Sequence, residues 1–283
     1  MYEEYERLLH TRGLHDFQDV LRMALEQVRA EPVNPPYAAV IVDEVQDLPL
    51  IGIQLLHALI GDKPNGLLLI GDNQQSVYPG GFRLAEAGIT ITGGRAERLD
   101  VNYRNAADIL DAALAVMDGE PFEDLDGTVV SDRPAVELTY FGGGVARVNV
   151  PSLEEHDRLL VEAVQKLAAQ LDPSPSPLAD SALLCAGRHE VNRYRTMLEK
   201  AGVPTLRLEN YDGQHSDDLK IGTFRRAKGL EFKHVFLPQH DQAVRDTAQG
   251  RFSDADRHSI ALRQLFVGMT RARDSLWLGS VEP

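Results

Sequence analysis

The chain has 283 residues, 43% hydrophobic and 25% charged, an ordinary globular composition with length for two modest domains. A formal charge of −14 argues against a protein that coats nucleic acid through general basicity, since non-specific phosphate affinity comes from Lys and Arg; a local groove that grips a single strand stays compatible with it. No apolar run of about 18 residues and no basic-then-apolar leader is visible, so the expectation is a cytoplasmic protein without a membrane partner.

The lone Cys185 cannot form an internal disulfide and reads as a buried strand residue. Nine histidines lack ligand-like spacing, which argues against a structural zinc site.

In chain order, Phe17, Val20, Leu21, Ala24, Leu25 and Val28 recur at three and four, the pattern of an amphipathic helix, with Asp16 as its N-cap and Pro32, Pro35 and Pro36 beyond its end. The apolar run 37–42 then ends abruptly in Asp43-Glu44-Val45-Gln46-Asp47. A continuous apolar run suits a strand covered on both faces, and ligand sites in open α/β sheets gather at the carboxyl ends of such strands. Asp43 and Glu44 are thereby presented at a crevice, where one carboxylate can hold Mg²⁺ while its neighbour orients and deprotonates a water. The alternative is an acidic turn that caps a helix near Leu48. A second run, 67–70, leads into Gly71-Asp72-Asn73-Gln74-Gln75-Ser76-Val77-Tyr78. Two neighbouring parallel strands of this design make one polar crevice, with Gln75 in reach of a water or terminal phosphate near Glu44.

Between these runs lies an expected helix over 50–60, and after them Gly80 and Gly81 break the chain before Phe82 and Arg83. Arg104 follows Asn102 and Tyr103 and opens a helix through Met117, a setting that holds a guanidinium rigidly for bidentate phosphate contact. Runs over 135–141 and 145–150 read as strands around a hairpin turn at 142–144. A helix over 153–171, a stiff Pro-rich connection over 172–177, a strand over 181–185, a helix over 188–201 and a strand over 205–208 give the rhythm of a second parallel α/β domain. Thr223, Arg225, Gly229 and Glu231 precede a strand at 235–238; Gly229 allows close backbone approach and Glu231 can accept hydrogen bonds. A helix with Leu262, Leu265, Phe266 and Met269 ends in Thr270-Arg271-Ala272, before a strand at 275–278.

Several of these stretches, in this order, resemble motifs of UvrD/Rep-type superfamily 1 helicases. Asp16-Phe17-Gln18-Asp19-Val20-Leu21 is similar to the family's Asp-Phe-x-Asp-Leu-Leu helix, and residues 43–47 and 71–78 resemble its magnesium-and-water motif and its sensor motif. Leu99 to Asn105 resembles Leu-x-x-Asn-Tyr-Arg-Ser, Thr223 to Phe232 resembles Thr-x-His-x-x-Lys-Gly-Leu-Glu-Phe, and Val267 to Ala272 resembles Val-x-x-Thr-Arg-Ala. Arg225 stands where the family usually has histidine, and residues 78–83 depart from Tyr-Arg-Phe/Trp-Arg-Gly.

The resemblance implies an α/β fold of two RecA-like parallel-sheet lobes, the first incomplete (1–98) and the second (99–283) without a large accessory insertion. It implies Mg²⁺ and ATP as cofactors, with Asp43 on the metal, Glu44 as catalytic carboxylate, Gln75 as sensor, Arg104 on phosphate oxygens, Arg271 on the γ-phosphate, and Gly229 and Glu231 at the nucleotide. Asp43, Glu44, Gln75, Arg104, Glu231 and Arg271 are expected to face one cleft. Single-stranded DNA is the implied partner, met by Tyr78, Phe82, Arg83, Thr223 and Arg225, with movement 3′ to 5′. The sequence contains no G-x-x-x-x-G-K-[ST], so a P-loop-bearing half in cis or trans is a further expected partner, and the chain alone is expected to be inactive. The alternative is a non-catalytic, helicase-derived regulatory or protein-interaction module.

Overall fold

Two units divide the chain, Met1–Arg98 with Pro121–Val130 and Leu99–Glu120 with Ser131–Pro283. The computed structural model describes all residues except 1, 35–36, 62, 77–81, 92–93, 100, 121, 124–128, 131–136, 139, 141–142, 170–175, 249–254 and 283.

In the first unit, α1 (Tyr2–Arg12) is followed by α2 (Phe17–Ala30). A reciprocal capping box starts α2: Asp19 N donates to Asp16 Oδ1 at 2.8 Å and Asp16 N to Asp19 Oδ2 at 3.2 Å. Strand β1 (Val40–Val42) is connected through α3 (Leu50–Ile60) to β2 (Leu67–Leu69), and the two strands pair in parallel, Val40 with Leu67 and Val42 with Leu69. Val42, Val45, Ile53 and Ala87 form the core, with Val40, Leu67 and Leu69 packed against it. Among the described residues the opposite face of the pair is uncovered: Ile41 is 70% exposed and Leu68 53%. The expectation of a strand covered on both faces therefore holds on one face only, and the lobe is incomplete as a doubly covered sheet. Short strands β4 (Phe122–Glu123) and β5 (Val129–Val130), which pair antiparallel, also belong to this unit.

The second unit begins with β3 (Val101–Asn102) and α4 (Ala107–Val116), and β3 pairs in parallel with β6 (Glu137–Leu138). Strand β7 (Gly144–Val150), α5 (Leu153–Ala168), β8 (Ser181–Cys185), α6 (Arg188–Lys200), β9 (Thr205–Arg207), β10 (Leu219–Thr223) and β11 (Phe232–Leu237) follow, then α7 (Gln242–Ala248), α8 (Ala255–Thr270) and β12 (Ala272–Val281). They build a six-stranded sheet in the order β7-β12-β11-β8-β10-β9, every neighbouring pair parallel. Alternate strand residues serve opposite layers. Ala182, Leu184, Val235, Leu237, Leu276 and Leu278 pack with α4 and α8, whereas Leu183, Cys185, Phe236 and Trp277 pack with α5 and α6. Cys185 is buried, as its apolar setting predicts.

Residues 141–142 of the hairpin expected at 142–144 lie outside the described residues, and the described parts of the two runs do not pair with each other. β6 pairs with β3 and β7 lies on β12 as a parallel edge strand, so the two runs are not partners. Gly143 answers a different demand: its φ is +88°, and a Cβ there would sit 2.2 Å from the Asp274 carbonyl oxygen and 2.8 Å from Ala106 Cβ.

Candidate functional site

In the first unit the ends of β1 and β2 are locked together, Ile70 N donating to Val42 O at 2.8 Å and Val45 N to Ile70 O at 3.0 Å. Between these bonds Glu44 takes a left-handed backbone, φ 51° and ψ 42°, a conformation that costs a non-glycine residue about 1–3 kcal/mol and survives only where its surroundings impose it. Asp43 is exposed at the strand end, and its Oδ1 accepts from Glu44 N at 2.8 Å. The half-buried Glu44 carboxylate accepts at Oε2 from Gln46 Nε2 at 2.5 Å, and Gln46 Oε1 accepts from Asp72 N at 3.1 Å. Asp72 in turn accepts from Gln74 N and from Gln75 Nε2, both at 2.9 Å. A continuous chain of hydrogen bonds thus joins Glu44 to Gln75.

Gln46 and Asp72, its two intermediate members, are residues that reasoning from the sequence passes over. The signal available was an amide set inside an acidic run. Phe82 packs against the core of this unit, Arg83 is exposed with its N–H donated to Glu86 Oε2 at 3.0 Å, and Tyr78 lies outside the described residues.

The second unit gathers another set. Asn102 Oδ1 accepts from Arg104 N at 3.0 Å and from Asn105 N at 2.8 Å, shaping the turn before α4. The buried Asn105 amide donates to Thr270 O at 2.9 Å and to Ala272 O at 2.6 Å, and Ala106 N donates to Arg273 O at 3.0 Å. The loop of Arg104 is stapled in this way to the carbonyls on either side of Arg271. The Arg104 side chain donates from Nε to Glu231 Oε2 at 3.0 Å.

Arg271 is only 1% exposed. Its Nε donates to Val267 O at 3.0 Å, Nη1 to Leu230 O at 3.3 Å and Nη2 to Thr270 Oγ1 at 3.2 Å. Arg104, Glu231 and Arg271 are thus brought together around Leu230 and the end of α8. Sequence reasoning missed Asn105, the staple between them.

Gly229 is exposed with φ +79° and open space about its Cβ position, so the turn itself requires glycine. Thr223 Oγ1 accepts from Arg226 N at 3.3 Å, and exposed Arg225 faces the Gln264 amide, whose oxygen accepts from Nε and Nη2 at 2.9 and 3.0 Å when the amide is turned to satisfy both groups. Close by, burial holds His234 below the ordinary histidine value, and its Nδ1 lies 2.8 Å from Ser275 Oγ. The hydrogen-bonded Arg273 guanidinium holds the Asp274 carboxyl below the usual carboxylate range. Burial pushes the Cys185 thiol up, which leaves it an unreactive packing residue.

Among the described residues no group of three or more His, Cys, Asp or Glu is placed to hold a metal ion, and no helix is long and apolar enough to cross a membrane. The exposed Asp43 carboxylate suits a hard cation that takes one or two carboxylates and completes its shell with phosphate oxygens and water, which is the habit of Mg²⁺.

A pair of parallel strands that ends in carboxylate and amide, with a second, six-stranded parallel sheet covered by helices, defines a RecA-like α/β protein of two lobes. Residues 1–92 match the family model of the UvrD/REP helicase N-terminal domain, and residues 205–282 that of the UvrD-like helicase C-terminal domain. The chain belongs to the UvrD/Rep-type helicase family. It is 25% identical over 299 aligned residues to a probable DNA helicase of Mycoplasma pneumoniae, an alignment that covers 98% of this chain and 51% of that protein. It is 30% identical over 129 residues to DNA helicase II of Escherichia coli, covering 42% of this chain and 18% of that one. To the ATP-dependent DNA helicase UvrD2 of Mycobacterium bovis it is 27% identical over 220 residues, 72% of this chain and 29% of the relative. The chain thus spans about half the length of the Mycoplasma relative and less of the other two.

Proposed function

We propose that this chain is the motor-core portion of an ATP-dependent DNA helicase that works in the cytoplasm and moves 3′ to 5′ along single-stranded DNA, acting with a segment that supplies the P-loop. The observation that carries this reading is the hydrogen-bond chain from Glu44 through Gln46 and Asp72 to Gln75, which fixes a carboxylate and an amide at the ends of adjacent parallel strands. The relatives' printed names, DNA helicase in each case, agree with it.

In this account Asp43 holds the metal. Glu44 orients the attacking water and takes its proton, and Gln75 contacts that water or the terminal phosphate. Arg104 and Arg271 stabilise phosphate charge, while Glu231, beside the Gly229 turn, accepts from the ribose; Arg104 leaves its exposed partner Glu231 to do so at little cost. Mg²⁺, held by Asp43, would supply positive charge that offsets the negative charge of the phosphates. Tyr78, Phe82, Arg83, Thr223 and Arg225 serve the DNA strand, by stacking, hydrogen bonding and charge. The bare face at Ile41 and Leu68 supports completion of the first lobe by the P-loop-bearing segment.

Steady-state ATP hydrolysis with and without single-stranded DNA tests the proposal. This chain alone is expected to show no turnover, and the chain joined to a P-loop-bearing segment is expected to show Mg²⁺-dependent, DNA-stimulated turnover and to unwind duplexes with 3′ tails. Robust hydrolysis by the chain alone would remove the need for the second segment. A joined form that binds DNA without hydrolysis would point instead to the non-catalytic module.

A further inference from the structure

We infer that Gln46 is a positioning residue: it holds the Glu44 carboxylate in its working orientation and ties it to the loop of Asp72 and Gln75. The inference rests on the role proposed for Glu44 above. Gln46 is 6% exposed, and it sits in the single turn Val45–Asp47 that follows the left-handed Glu44. Its amide orientation is fixed by its partners, since a carboxylate can only accept and a backbone N–H can only donate. Nε2 therefore faces Glu44 Oε2 and Oε1 faces Asp72 N.

A free glutamate samples many rotamers, and a general base must be held before the reaction to be effective. The 2.5 Å charge-assisted bond from Gln46 supplies that restraint from a buried residue. The other end of the same amide grips the backbone of Asp72, whose carboxylate holds Gln75 Nε2. A shift of Gln75 on meeting a phosphate is thereby passed through Asp72 and Gln46 to Glu44.

Gln46→Glu separates this role from a structural one. The new side chain can still accept from Asp72 N–H, yet it cannot donate to Glu44 as a carboxylate. Two measurements are made: ATP turnover in the P-loop-complemented protein, and amide hydrogen exchange of Asp72 by NMR in this chain. The expected result is a fall in kcat of about 10- to 100-fold with KM for ATP within about twofold, the size of one lost hydrogen bond to a charged group. Asp72 stays protected in Gln46→Glu and loses protection in Gln46→Leu.

Wild-type kcat in Gln46→Glu, beside an inactive Glu44→Gln control, would overturn the inference. So would loss of Asp72 protection in Gln46→Glu with the same kcat as Gln46→Leu, because Gln46 would then be a structural bond alone. Wild-type turnover in Glu44→Gln, or none in the unsubstituted protein, would instead overturn the functional reading beneath it.

Discussion

Arg104 and Glu231, 127 positions apart in sequence, meet through a bond of 3.0 Å from Nε to Oε2 while both side chains stay largely open to solvent. An exposed ion pair of this kind contributes little to folding, because water and salt screen it and two long side chains must be ordered to make it. Arg104→Ala and Glu231→Ala are each expected to lower the unfolding free energy by less than about 1 kcal/mol in urea titration. A larger loss in either would mean that the pair is structural.

Arg271 should behave in the opposite way. Its guanidinium is buried and donates to the carbonyls of Val267 and Leu230 and to the Thr270 hydroxyl, which ties the end of α8 to the start of β11. Removing it takes away three hydrogen bonds from a charged donor and empties a buried site, so Arg271→Ala is expected to cost about 2–4 kcal/mol of stability by the same titration. In the complemented motor it should also cost about 10³-fold or more in turnover, and that loss must be measured under conditions where the variant is folded.

Much of the fold is legible in the sequence. The expected helix over 50–60 and strand over 181–185 coincide with α3 (Leu50–Ile60) and β8 (Ser181–Cys185), because local apolar periodicity and flanking breakers specify both. Asp16 is recognisable as a cap for the same reason. The glycines at 142–144 mislead, since glycines that reverse a chain and glycines that admit a close neighbour look alike in sequence. The neighbour of Gly143, the Asp274 carbonyl, comes from a distant part of the chain. At the site, the motifs name Glu44, Gln75, Arg104 and Arg271 but cannot show that Arg271 is buried, because its cradle includes Leu230 O, 41 positions away. Nor can they show Asn105 or Gln46 at work, whose partners on Thr270, Ala272 and Asp72 are set by the folded chain.

The contrast between adjacent glycines is itself testable. Gly143→Ala places a Cβ 2.2 Å from the Asp274 oxygen at a positive φ, whereas Gly144→Ala meets nothing within 4 Å. The first is expected to destabilise by about 2 kcal/mol or more and the second by under about 1 kcal/mol, read from thermal unfolding of the two variants side by side. Equal effects would contradict the close approach of β7 to the start of β12.

The stability of the second unit should depend on His234 in acid. Burial lowers its folded pKa below 6.5, so the contribution of the neutral ring is fully present above 6.5 and is lost as pH falls through the lowered folded value. The melting temperature is expected to decline as pH drops below 6.5, and His234→Gln should flatten that decline. An unchanged pH profile in the variant would assign the acid sensitivity elsewhere.

In the proposed function Glu44, held at the end of β1, activates the water that attacks a bound triphosphate. The direct measurement is nucleotide binding and steady-state turnover of Glu44→Gln in the P-loop-complemented protein with Mg²⁺ and single-stranded DNA. The account predicts ATP affinity within about twofold of the unsubstituted protein and a loss of turnover of about 10³-fold or more. Turnover at the unsubstituted rate would contradict it.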